Sequence, residues 1–89
     1  MSTKVGIVFI SYDIDSKHVE VKNAMKNLSY HESWKNQNDP KSYVLPNTTL
    51  WHQSKSTDSA IADIKSICNR LSVKLEKTIA VIASDFAGI

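Results

Sequence analysis

Residues 7–15 read IVFISYDID, a run of aliphatic and aromatic side chains that ends on two carboxylates, Asp13 and Asp15. Extended upstream, VGIVFISY at 5–12 has no polar alternation before Ser11. Continuous β-branched and aromatic content over this length predicts a strand buried on both faces and central in its sheet. Gly6 weakens the strand slightly and marks a close backbone approach. What acids do at the end of so apolar a strand is the main functional question the chain poses.

Downstream, DIDSKHVEVKNAMKNLSY places Val21, Ala24, Met25 and Leu28 at i, i+3, i+4 and i+7, one face of a helix over 17–29. Asp15 or Ser16 is expected to cap its start by accepting from an orphan amide. Lys22 and Lys26 fall four apart on the outer face. The polar run NQNDPK at 36–41 predicts an exposed loop. Before it lies a short candidate strand, Tyr30 to Trp34. After it, Tyr43–Leu45 and Thr48–His52 flank Pro46-Asn47, a dipeptide that favours a turn, so these two segments are expected to form a hairpin. Pro46 puts that hairpin toward the sheet edge.

STDSAIADIKSICNRLSV, from Ser56, carries the clearest helical stripe: Ile61, Ile64, Cys68 and Leu71, widened by Ala60 and Ile67. Ser56 or Thr57 is the expected N-cap, with Asp58 at the positive end of the helix dipole and Arg70 and Lys74 at the other. TIAVIASDF at 78–86 predicts a last apolar strand. The order strand, helix, hairpin, helix, strand predicts an α+β fold, a ferredoxin-like βαββαβ sandwich in one domain spanning 1–89. In it a four-stranded antiparallel sheet carries two helices on one face. The other face is left bare, and exposed apolar surface favours a homodimer.

Composition sets limits. The chain has 89 residues, 42% hydrophobic and 22% charged, with a formal net charge of +2, which is ordinary for a globular domain and too weak to demand a nucleic-acid partner. Its one cysteine, Cys68, excludes an internal disulfide and a cysteine-based zinc site within the chain, and suits a reducing compartment. The apolar run after Lys4 is too short for a signal peptide. No stretch reaches the roughly 18 apolar residues of a membrane span. A cytoplasmic protein without a membrane partner is expected.

Taken in order, FISYDI at 9–14, VEVKNAMKNLSY, VLPNTTLWHQ, STDSAIADIKSI and KTIAVIASDFAG resemble the CRISPR-associated small adaptation protein (Cas-two-like) superfamily and its short stand-alone relatives. In that superfamily the first strand ends in a Tyr-Asp pair, here Tyr12-Asp13. The hairpin carries a Ser/Thr-hydrophobic-aromatic signature, here Thr49-Leu50-Trp51. The resemblance implies a homodimer that binds RNA or DNA, and a metal-dependent nuclease in which the two copies of Asp13 hold Mg²⁺ that activates water. Hard Mg²⁺ takes oxygen ligands and lets substrate phosphate complete its shell. Members that bind DNA place Arg or Lys soon after the Tyr-Asp pair; this chain has Lys17 there.

The candidate residues follow. Asp13 is the candidate catalytic residue and metal ligand, weighed against simple strand termination, and Asp15 is the candidate cap. Lys17, Lys22 and Lys26 are candidate nucleic-acid contacts, weighed against a solvated helix face. Tyr12 and Trp51 are assigned to the dimer interface. Trp34, Tyr43, Trp51 and Tyr30 could stack on bases, although packing is the more common role of such residues. His18, His31 and His52 show no metal spacing, and Cys68 lies on the apolar stripe as a small buried thiol. The competing reading is a non-catalytic regulatory or assembly module that binds a protein partner or a small nucleotide ligand.

Overall fold

The apolar run at the N-terminus forms β1, Gly6–Ile14, the middle strand of a three-stranded antiparallel sheet. Its neighbours are β4, Thr49–Lys55, on one side and β5, Leu75–Ile82, on the other. The remaining elements are helix α1, His18–Asn27, the short strands β2, Ser33–Lys35, and β3, Ser42–Val44, and helix α2, Thr57–Arg70. The computed structural model describes residues 4–35 and 42–83. The expected NQNDPK loop, the side chain of Tyr43 and the end of the strand foreseen at 78–86 lie outside the described residues.

Side chains alternate across a strand. On β1, Val8, Ile10, Tyr12 and Ile14 point to the helix layer and are buried, while Phe9 and Ser11 are half-buried and Asp13 is exposed on the opposite face. The strand is therefore central, as its composition demands, but covered on one face only. Both helices pack on that face: Val21 and Met25 from α1, and Ala60, Ile64, Ile67 and Cys68 from α2, join Leu50 and the β1 residues in a single core. Cys68 is a buried free thiol, as its place on the stripe predicts. At Gly6 an added Cβ would meet the Ile82 side chain at 3.6 Å, an ordinary contact, so no close approach requires glycine there.

The arrangement is a small α+β fold, roughly ferredoxin-like, and the expected four-stranded sheet is not closed. β2 pairs with β3 in a separate two-stranded hairpin, with Trp34 opposite Tyr43. The pairing foreseen across Pro46-Asn47 is thus replaced by pairing of Ser42–Val44 with Ser33–Lys35. Pro46 still makes a turn, its carbonyl accepting from the Thr49 N–H at 2.9 Å, but that turn leads β3 away from β4. The hairpin joins the main sheet through one isolated bridge, His31 to Trp51, closed by backbone bonds of 2.8 and 3.0 Å.

The two helices end alike. After α1, Ser29 takes φ 73° and the Tyr30 N–H reaches the Met25 carbonyl at 3.3 Å; after α2, Ser72 takes φ 57° and the Val73 N–H reaches the Cys68 carbonyl at 2.8 Å. These are Schellman closures with serine in the left-handed position glycine usually fills. Each delivers the next apolar residue, Tyr30 or Val73, into the core.

At the helix starts the outcomes differ. Ser56 caps α2 as expected, its hydroxyl accepting from the Ser59 N–H at 3.1 Å. The N-cap of α1 is Lys17, at φ 55° with no side-chain capping bond, in place of Asp15 or Ser16. Asp15 is used elsewhere: its carboxylate accepts from the Lys74 N–H at 3.0 Å and from the Ser16 hydroxyl at 3.0 Å, tying the end of β1 to the start of β5. The Lys74 amide, with help from Ser16, holds this carboxyl below its ordinary range. Among the described residues no helix is long and apolar enough to cross a membrane.

Candidate functional site

The helix-free face of the sheet is the part of the fold left without a cover. Strand register assembles it row by row: Trp51, Phe9 and Val81; then Thr49, Ser11 and Ile79; then Asp13 and Lys77. Ile79 is 64% exposed and Val81 47%, both large β-branched residues on the edge strand β5. The Ser11 and Thr49 hydroxyls bond each other at 2.9 Å, so that row satisfies its own polar atoms. A shallow pocket of about 350 Å³ opens at the end of the strands, lined by Ser11, Tyr12, Asp13, Lys77, Thr78 and Ile79.

Asp13 thus stands where the strand pattern puts it, exposed at the rim of that pocket and directly opposite Lys77. A register shift falls just beyond, between the pairings of Asp13 and Ile14. Such bulges re-aim side chains at sheet ends. A hard cation needs several oxygen donors; the strand register places Lys77 opposite Asp13, and the Ser11 hydroxyl is engaged with Thr49. Among the described residues no three His, Cys, Asp or Glu side chains converge on one point.

Tyr12 lines the same pocket and is 4% exposed, on the helix-facing side of β1 with the core. The alternation that exposes Asp13 buries its neighbour. Burial pushes the Tyr12 phenol up to about 12. Trp51 is on the open face as expected, half-buried, with its indole N–H donating to the Ser33 carbonyl at 2.7 Å and His31 tilted against its ring at 4.6 Å. Trp34 is buried.

The three candidate lysines are all engaged within the chain. Lys17 donates to the Leu71 carbonyl at the C-terminal end of α2, at 2.8 Å, a favourable place for a cation in the helix dipole. Lys22 donates to Asn47 Oδ1 at 2.8 Å, and Lys26 pairs with Glu32 at 2.8 Å. Lys26 holds the Glu32 carboxyl below its usual range. The Lys22 and Lys26 contacts fasten α1 to the segments flanking the hairpin, and the Lys17 contact ties its start to the end of α2; the three do not form a free basic stripe.

One cluster escaped the sequence reading. The Tyr30 hydroxyl donates to Asp63 Oδ2 at 2.8 Å, the Lys55 ammonium pairs with the same oxygen, and Lys55 also sits 5.6 Å from the Tyr30 ring centre. His52 meets that ring edge-on at 5.0 Å, and its Nδ1 accepts from the Ser54 N–H at 3.0 Å. Burial, then the Lys55 charge, lowers the His52 pKa. Burial also pushes the Tyr30 phenol well above its ordinary range, reinforced by the bond to Asp63. Strict alternation would put Lys55 on the open face with Trp51. A register shift between the Gly6 and Val8 pairings turns it to the helix side instead, where Asp63 waits. Sequence periodicity carries no signal for that bulge.

Raised phenol pKa values set an alkaline limit. A group protonated more firmly in the folded state contributes its stability below the unfolded pKa, near 10, and loses it as pH rises through the folded value. Stability should therefore be flat from pH 7 to 9 and fall above about 10. Absorbance titration at 295 nm, with circular dichroism alongside, checks this: Tyr12 ionises only near pH 12 and Tyr30 only well above the ordinary phenol range, or both together with unfolding. Ordinary titration of all three tyrosines in a folded chain would contradict the placement of these two.

Comparison of the chain with protein-family models, curated proteins and solved structures gives no match.

Proposed function

We propose that the chain is a homodimeric assembly module, Cas-two-like in build, whose two copies pair through their helix-free sheet faces. The observation that carries this reading is the stripe of Phe9, Trp51, Ile79 and Val81 on that face, with Ile79 and Val81 among the most exposed large apolar residues described. A domain of this size leaves a large fraction of its chain surface in contact with water, and covering a sheet face is the economical remedy. The paired module would present its outer, helical surfaces to a protein partner or a small nucleotide ligand.

The second reading is a dimer that binds RNA or DNA and cuts it with metal at Asp13. It is favoured by the exposure of Asp13 at the rim of a pocket next to the pairing face. Against it stand the internal engagement of Lys17, Lys22 and Lys26 and the place of Lys77 opposite Asp13 in the strand register.

One experiment separates the two. Labelled single- and double-stranded RNA and DNA are titrated with the protein at 50 and 200 mM salt, then incubated with Mg²⁺ or Mn²⁺ beside the Asp13→Asn variant. The assembly reading predicts weak binding with a shallow salt slope, because few phosphates are neutralised, and equal background cleavage in both proteins. A steep slope with cleavage lost in Asp13→Asn would establish the nuclease instead.

A further inference from the structure

Among the described residues the pairing face carries one charged feature, Asp13 with Lys77, and it is self-complementary. Asp13 on β1 and Lys77 on β5 are directly opposed across the antiparallel ladder, both point away from the helices, and both line the same pocket. Neither closes an ion pair within 4.0 Å among the described residues. The adjacent row is already satisfied by the Ser11–Thr49 hydroxyl bond. If a second copy covers this face, these two charges are the polar groups of the rim that lose water and need partners, since a buried charge is tolerated only when paired.

A two-fold interface is isologous: if residue i of one copy meets residue j of the other, j also meets i. Sheets stacked face to face lie about 10 Å apart, a gap that a lysine and an aspartate side chain bridge between them. From this we infer that Asp13 of each copy pairs with Lys77 of the partner subunit, so that two reciprocal ion pairs fix the register of the dimer and occupy the carboxylate a divalent cation would otherwise need. The inference rests on the pairing of open faces proposed above, and goes beyond it by naming the contact that selects a second copy of this chain as partner. Lys77 is the registering residue, a role no residue near the Tyr-Asp pair was assigned from the sequence.

Charge reversal tests this, provided contacts between chains are distinguished from contacts within one. Asp13→Lys makes the chain basic at both positions; Lys77→Asp makes it acidic at both. Asp13 is exposed and so is Lys77, so both variants should fold, which far-UV circular dichroism checks. Each variant alone places like charges against each other across the interface and should associate on the order of tenfold or more weakly than the unmodified chain. An equimolar mixture of the two variants restores opposite charges between chains while leaving like charges within each. Sedimentation velocity should show the mixture recovering the dimer. Mn²⁺ titration followed by electron paramagnetic resonance should show no tight site in the unmodified dimer. Variants that each associate like the unmodified chain, or a mixture that stays dissociated, would overturn the reciprocal pairing while leaving face-to-face dimerisation intact. A tight Mn²⁺ site lost in Asp13→Asn would also overturn it, and an unmodified chain that is monomeric would overturn the dimer and the pairing together.

Discussion

Asp63→Ala is expected to be among the most destabilising single substitutions outside the apolar core, at about 2–3 kcal/mol. Asp63 accepts from the Tyr30 hydroxyl and pairs with Lys55 through the same oxygen. Tyr30 is 2% exposed, so its hydroxyl has no solvent to turn to once the carboxylate is gone. Leaving a buried donor unsatisfied costs about 1–3 kcal/mol. The lost Lys55 pair adds less than a fully buried pair would, because both side chains retain about a fifth of their exposure, 22% and 21%. Tyr30→Phe removes donor and need together and should cost only about 0.5–1.5 kcal/mol. In the double variant most of the Asp63→Ala penalty that comes from the orphaned hydroxyl disappears, giving a coupling of about 1 kcal/mol. Since 1 kcal/mol moves the midpoint of a domain this size by roughly 4–8 °C, thermal or urea unfolding resolves all three. Additive penalties would mean that the two side chains act independently.

How much of this was legible beforehand depends on how local the cause is. The α2 stripe, its Ser56 cap, the buried Cys68 and the central place of β1 follow from period, capping chemistry and composition, all of which act within one element. The exposure of Asp13 follows from alternation once the strand is placed. What escaped depends on distant pairing. The Tyr30–Asp63–Lys55 cluster joins three separated segments and depends on a bulge that reverses the face of Lys55. Glu32 and Asn47, which engage Lys26 and Lys22, sit on a hairpin whose pairing was misassigned. The strand Ser42–Val44 is three residues long, too short for period two to choose between Ser33–Lys35 and Thr49–Lys55 as its partner. Tyr12 and Asp13 are neighbours in sequence, yet adjacent strand residues point opposite ways, so one is buried and the other exposed.

The second large effect bears on association. Ile79 and Val81 already face water at 64% and 47% exposure, so the double variant Ile79→Glu/Val81→Glu removes little from the core. Its thermal midpoint should stay close to that of the unmodified chain at low concentration. Between two apposed faces, however, it buries four unpaired carboxylates in place of an apolar stripe. Burying unpaired charge is prohibitive, so the variant should be monomeric at every concentration at which the unmodified chain is paired. Unfolding of the variant would show instead that these side chains belong to the chain's own core.

Sedimentation equilibrium of the unmodified chain beside the Ile79→Glu/Val81→Glu variant, from low micromolar to several hundred micromolar, tests the pairing of bare sheet faces most directly. The account predicts twice the chain mass for the unmodified protein and a single chain mass for the variant across that range. A single chain mass for both, or a dimer that survives both glutamates, would contradict it.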